Sequence, residues 1–225
     1  QYQKQAFSED AAEELQYLRG EALNHEGKFD KALYVFDSFL QTYFQSDYQD
    51  YTMLGAGWAS LNLGENERAL GYYDDIIEKG NSESREHAAA QLFRTVALKR
   101  LGEIEQAKKE LSALTVQPTF PYLGLALLEL GQLYYENEDY ENARRTLERA
   151  EREARDAIVS VRVHLLLGET NIELRKWSSA VRQFNSAEIL ALKTSEIFMP
   201  NKEWYIAEAR LKQGIALVKS YNNLE

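Results

Sequence analysis

Gly27-Lys-Phe-Asp-Lys-Ala32 reads as the end of one helix, a tight turn and the start of a second helix. The same shape returns as Gly64-Glu-Asn-Glu-Arg-Ala69, Gly102-Glu-Ile-Glu-Gln-Ala107, Glu138-Asp-Tyr-Glu-Asn-Ala143 and Arg175-Lys-Trp-Ser-Ser-Ala180. The five alanines stand 37, 38, 36 and 37 residues apart. A fixed period of this length marks a repeat protein, in which one supersecondary unit buries its apolar face only by stacking on the next.

Working outward from the first turn, residues 11–26 carry Leu15, Leu18, Ala22 and Leu23 at helical spacing. On the other side, Phe29, Ala32, Leu33, Phe36, Phe39, Leu40 and Tyr43 form a second apolar stripe in steps of three and four. Two such helices joined by a short turn make an antiparallel hairpin. The same reading places hairpins at about residues 46–81, 82–119, 120–155 and 156–193, after a first at 11–45. A last, unpaired helix follows at about 202–222. Ser46-Asp-Tyr-Gln49 has the spacing of a capping box, Asn81 or Ser82 is placed to cap the fifth helix, and Pro121 suits a first helical turn. The fold class expected is all-α: an open α-α superhelix of five helix-turn-helix repeats in one domain over residues 1–225. The last helix would cover the end of hairpin five, either as a cap or as the first half of a sixth repeat.

Composition narrows the function. Of 225 residues, 44% are hydrophobic and 28% charged, and three prolines with twelve glycines argue against sandwiches and linkers. No apolar run approaches the roughly 20 residues of a membrane span. The net charge of −10 disfavours a nucleic-acid partner, which needs a basic face. That charge is uneven. Residues 1–80 hold 15 Asp and Glu against 6 Lys and Arg, a balance of −9, while residues 81–225 hold 21 against 20. An acidic end can attract a basic partner, or it can be a solvated helical face. The absence of cysteine removes disulfides, thiol catalysis and thiolate metal sites. Because the chain begins at Gln1 without a methionine, an upstream segment is expected to have been removed. Leu224-Glu225 reads as a vector-derived scar.

Across residues 11–222 the pattern resembles the tetratricopeptide repeat family. Small residues Gly20, Gly57, Gly131 and Gly168 sit mid-way along the first helices, with Thr95 departing in repeat three and Gly214 in the last helix. The recurring alanine follows twelve residues later, and Phe36, Tyr73, Leu111, Leu147 and Phe184 follow it by four. Small residues let two helices approach closely, and the large ones fill the space beside them. Leu23, Leu98 and Tyr134 keep a large residue three past the small one, whereas Ser60 and Asn171 do not. The period exceeds the family's usual ~34 residues, and the proline that usually ends each repeat is missing. A finer resemblance, carried by Phe36-Asp-Ser-Phe-Leu-Gln-Thr-Tyr-Phe-Gln-Ser-Asp-Tyr48, is to bacterial envelope lipoproteins and periplasmic coordinators of outer-membrane assembly, although Phe44 stands where those families place proline.

No phosphate-binding loop, dinucleotide fingerprint, zinc-protease motif or nucleophile elbow occurs. His25, His87 and His164 fall in different repeats, and Glu148-Arg-Ala-Glu-Arg-Glu153 alternates sign as a solvated salt-bridged face does. No catalytic residue, cofactor or metal is expected.

The resemblance implies a binding face on the first helices, lining a concave surface. That register puts Tyr17, Glu21 and Asn24 there from repeat one, and Tyr51, Leu54, Trp58 and Leu61 from repeat two. Repeat three gives Leu92, Val96 and Lys99; repeat four gives Leu128, Gln132 and Tyr135; repeat five gives Arg162, Leu165, Glu169 and Ile172. The Lys, Asn and Arg with which one subset clamps chaperone carboxylate termini are replaced here by Leu, Trp, Val and Gln, so no such clamp is expected. An apolar groove suits an amphipathic helix anchored by Trp58 and Tyr135. Leu54, Leu92, Leu128 and Leu165 share one register and fit inter-repeat core as well as groove.

The resemblance therefore implies a non-catalytic scaffold for a protein or peptide partner. A periplasmic or outer-membrane-anchored location is expected, with the cytoplasm as the alternative. A self-assembling homo-oligomer, or an accessory domain of a larger cytoplasmic enzyme or regulator, are the other readings.

Overall fold

The computed structural model describes residues 9–222, so the readings of Gln1 and of Leu224-Glu225 lie outside the described residues. The side chains of residues 9 and 10 are not described either. The described residues form eleven α-helices and no strand, the all-α class expected. They divide into two compact units, Gln1–Ala107 and Lys108–Glu225, with the boundary inside one helix.

The first unit holds α1 (Glu9–His25), α2 (Phe29–Thr42), α3 (Gln49–Leu63), α4 (Asn66–Lys79), α5 (Arg85–Arg100) and the first turn of α6 (Ile104–Thr115). The second holds the rest of α6, then α7 (Leu123–Glu136), α8 (Tyr140–Glu153), α9 (Ala157–Glu173), α10 (Trp177–Lys193) and α11 (Lys202–Asn222). Within each unit, helices pack on their chain neighbours and first helices pack on first helices: α1 on α3 and α3 on α5, then α7 on α9 and α9 on α11.

The five turns share one hydrogen-bond pattern. In each, an N–H reaches back five residues to a carbonyl: Lys28 to Leu23, Glu65 to Ser60, Glu103 to Leu98, Asp139 to Tyr134 and Lys176 to Asn171, at 2.7–2.9 Å. These bonds close the orphan carbonyls at a helix C-terminus and need the preceding residue in the left-handed region. Gly27, Gly64 and Gly102 adopt it at φ 71°, 80° and 82°, but so do Glu138 at 60° and Arg175 at 56°. The recurring alanine then makes the first bond of the second helix, its N–H donating to the carbonyl four residues back. Because the bonds are all from backbone, Ser60 and Asn171 serve as well as the large residues of the other repeats.

Left-handed backbone strains a residue that carries a Cβ. Glu138→Gly and Arg175→Gly are therefore each expected to stabilise the second unit by about 0.5–1 kcal/mol, after the glycine's greater unfolded-state freedom is subtracted. Urea midpoints of the two variants check this; unchanged or lower midpoints would show that the turns carry no strain.

The small residues do what close approach requires. A methyl group at Gly20 would stand 2.3 Å from the Phe36 ring, one at Gly57 2.5 Å from Tyr73, one at Gly131 2.6 Å from Leu147 and one at Gly168 2.4 Å from Phe184. Thr95 is accommodated differently: its buried hydroxyl donates to the Leu92 carbonyl at 2.6 Å. First helices are sandwiched and bury residues around most of their circumference. Second helices bury a stripe only, such as Ala69, Tyr73 and Ile76 on α4 or Ala143, Leu147 and Ala150 on α8.

Three local expectations are corrected. Ser46 makes no capping box: α3 begins at Gln49, while the Ser46 hydroxyl accepts from the Tyr48 N–H and donates to Glu13. Neither Asn81 nor Ser82 caps α5; Ser84 does, accepting from the His87 N–H, and Asn81 is spent on the turn through the Glu83 N–H. Pro121 precedes α7 by two residues, because turns closed by the Phe120 and Leu123 N–H groups delay the helix to Leu123.

Candidate functional site

The first helices of each unit carry a cleft at the expected face. In the first unit Tyr17, Glu21, Tyr51, Leu54 and Trp58 come together, with Asn24 and His25 beside them, around a space of about 290 Å³. Tyr17 stacks on Tyr48 with ring centroids 5.3 Å apart and meets Tyr51 at 6.1 Å. Trp58 lies 5.8 Å from Phe93, which is tilted against it. Gly55 has no side chain because the Glu21 carboxylate and the Phe36 ring occupy that place, 2.6 Å from where a methyl would be. Asn24 ties α1 to α3, its Nδ2 donating to the Gly55 carbonyl at 3.0 Å.

Electrostatics follow from partial burial. Burial and the nearby Glu21 charge push the Tyr17 phenol up to about 12. Burial raises the Glu21 carboxyl as well, opposed by His25 at the end of α1. Asp50 is raised by burial and by Glu86, against the opposing influence of His87. The charge of Glu86, which also accepts the Tyr51 hydroxyl, raises that phenol.

In the second unit Leu128, Gln132, Tyr135, Arg162, Leu165 and Glu169 line a cleft of about 410 Å³, closed on one side by Trp204 and Tyr205 from α11. Those two rings meet edge to face at 5.0 Å. Two cations here are paired within the chain: Arg162 lies 3.2 Å from Glu129, and Lys212 of α11 pairs with Glu169 and, at 3.0 Å, with Glu208. Gln132 donates to Glu136 at 2.7 Å. Burial and the negative Glu169 and Glu173 push the Tyr135 phenol up to about 12.

Five expected face residues are buried, Leu128 at 1% and Leu165 at 7% exposure among them. Leu61 and Leu92 are 1% exposed and Ile172 is 8% exposed, and these three line neither cleft, so they offer no surface to a partner. Each points into the core because the first helices are buried on several sides at once. Val96 and Lys99 are half-buried and line neither cleft. Of the shared-register leucines, Leu54 lines the first cleft and Leu128 and Leu165 floor the second, while Leu92 is core. Phe93 and Trp204 were not legible from the register. Phe93 occupies the place that Gly55 holds one repeat earlier, and Trp204 belongs to the unpaired helix.

That helix has the register of a first helix. Ile206, Ala209 and Ala216 are its buried positions, placed about Gly214 as Leu123, Ala126 and Leu133 are placed about Gly131. It packs on α10 and α9 and so covers the end of hairpin five. Its other side is bare: Leu211 is 62%, Ile215 42% and Val218 60% exposed, and a methyl at Gly214 would meet nothing within 4 Å. The histidines lie on three helices, with His25 at the rim of the first cleft, His87 buried in α5, and His164 Nδ1 2.7 Å from Gln183 Oε1. Among the described residues no helix is long and apolar enough to cross a membrane.

Comparison with known proteins bears on the whole arrangement. A tetratricopeptide repeat family model matches residues 96–158 and again 128–193. No curated protein matches the chain. Among solved structures, a thermophilic tetratricopeptide repeat protein of Thermus thermophilus is similar at a TM-score of 0.67 and 19% identity, over 92% of this chain and 99% of that one. BtubC from P. vanneervenii is similar at 0.65 and 18% identity, over 80% of each chain. MamA from Desulfovibrio magneticus RS-1 is similar at 0.58 and 18% identity, over 84% of this chain and 99% of that one. These likenesses speak to fold. Residues 96–193 therefore match the tetratricopeptide repeat family in sequence, and the described residues share the helix-hairpin fold of solved tetratricopeptide repeat proteins.

Proposed function

We propose that the chain is a non-catalytic scaffold that captures a segment of a partner protein on its first helices. The observation that carries this reading is the placement of an exposed aromatic side chain, Trp58, in a cleft made by three successive first helices. Tyr135 stands at the second cleft in the same role. Large rings half-open to solvent beside apolar floors are the kind of anchor that carries most of the energy at protein interfaces. Trp58→Ala with Tyr135→Ala is expected to lower the affinity of a captured partner about thirtyfold or more, with helicity and unfolding midpoint retained. Unchanged capture by a folded double variant would overturn the reading.

The bare strip of Leu211, Ile215 and Val218 favours a second reading, in which α11 pairs with a second copy. Sedimentation over a concentration series separates the two, because a strict monomer at high concentration excludes self-association.

The envelope location is part of the same proposal. It is supported by the likeness of residues 36–48 to envelope repeat proteins, and fractionation of the native cells tests it: recovery with cytoplasmic markers would end it.

A further inference from the structure

The two clefts differ in how they treat charge. In the second unit, Arg162 and Lys212 answer the carboxylates of Glu129, Glu169 and Glu208. In the first unit Glu21 lines the cleft, and Glu86 reaches its rim through the Tyr51 hydroxyl. Asp50 adds a third carboxylate near Glu86. The groups that oppose the raised Glu21 and Asp50 carboxyls are imidazoles, His25 and His87, rather than a lysine or arginine. A carboxylate withdrawn from water without a permanent cation is costly, and a cation brought to it recovers that cost.

The other walls of this cleft are π-faces. Tyr17, Tyr51 and Trp58 line it together with Glu21, and half-exposed rings of this kind attract a cation by their quadrupoles. A space of about 290 Å³ lies at the bottom of the range for small-molecule sites and suits one long side chain. The balance of −9 over residues 1–80 extends the same sign beyond the cleft, which favours the approach of a basic segment.

We propose that the first-unit cleft receives a basic side chain, an arginine or lysine of the captured segment, with its charge beside the Glu21 carboxylate and its stem against Tyr17, Tyr51 and Trp58. This rests on the scaffold reading and names the chemistry of its partner. The second cleft, where Arg162 and Lys212 already pair with carboxylates, takes the uncharged part of the segment.

Random peptides displayed on phage and selected on the full chain test the proposal. Binders that depend on Trp58, identified by loss of binding to the Trp58→Ala chain, are expected to be enriched in arginine or lysine. Replacing that peptide residue by glutamine, or Glu21 by glutamine in the protein, should each weaken binding about tenfold. Added salt should weaken the original pair more than either neutralised one. Trp58-dependent binders without a basic residue, or full affinity for the Glu21→Gln chain, would overturn the proposal while leaving the scaffold reading standing. A selection that yields no binder dependent on Trp58 or Tyr135 would overturn both. The peptide replacement guards against a Glu21→Gln chain that fails to fold.

Discussion

Phe36→Ala is expected to cost the first unit about 3–5 kcal/mol, most of the stability a unit of this size has. Its ring is fully buried and lies where methyl groups at both Gly20 and Gly55 would otherwise stand. Deleting it removes the filling of the first hairpin and of the seam to the next hairpin together. Neither glycine can relax a side chain into the cavity, so collapse requires the backbones of α1 and α3 to move. Tyr34→Ala, on the same helix but 76% exposed, serves as the control and should change stability by less than about 0.5 kcal/mol. Repeat arrays need not unfold in one step, so hydrogen exchange of α1 to α3 is the measurement to make. A loss below about 1.5 kcal/mol would mean that the hairpin does not depend on this ring.

The second large effect is alkaline unfolding. Burial pushes Tyr17, Tyr72 and Tyr135 up to about 12, with Asp37 raising Tyr72 further, and burial raises Tyr73 more than any of them. The unfolded chain ionises its phenols near pH 10. The stability these residues lend is therefore whole below about pH 10 and is lost as pH climbs towards 12, because the unfolded state releases protons the folded state holds. A phenol held at about 12 rather than about 10 is worth about 2.7 kcal/mol at full strength. For half-open Tyr17, Tyr72 and Tyr135 solvent screening reduces this to roughly 1 kcal/mol each. Phenolate absorbance and helicity followed together should show ionisation and unfolding in one transition above about pH 10. Ionisation with helicity intact would show these phenols to be open to water. Tyr73 offers a direct check, since its hydroxyl is buried without a hydrogen-bond partner. Tyr73→Phe should keep or raise the neutral-pH midpoint and blunt the alkaline loss.

The positions of the turns, the class of fold and the close approach under Gly20, Gly57, Gly131 and Gly168 were all legible in the residue pattern. They are local: a six-residue turn and a glycine facing a large residue sixteen positions later recur wherever the hairpin recurs. The left-handed backbone of Glu138 and Arg175 was not legible, because neither residue type favours it. There the hairpin imposes the turn on the residue. The cap at Ser84 was missed for a related reason. Asn81 and Ser82 are equally good caps by type, and only the path of the chain decides which oxygen meets a free N–H.

The candidate site divides in the same way. A register of three and four identifies the first helices and puts Trp58 and Leu61 on similar ground, yet one is half-open and the other is core. Periodicity separates inside from outside only where a helix has one buried face. On a helix packed against neighbours on several sides, three residues of difference decide between a partner's contact and a neighbour's. The sequence by itself determined a repeated hairpin, its length and its tightest contacts, since those follow from chain-local spacing and side-chain size. Which residues of the first helices reach solvent, that Phe93 and Trp204 complete the clefts, and that Glu21 stands among rings with an imidazole rather than a lysine or arginine to oppose it were decided by tertiary packing alone, because each depends on which distant helix lies alongside.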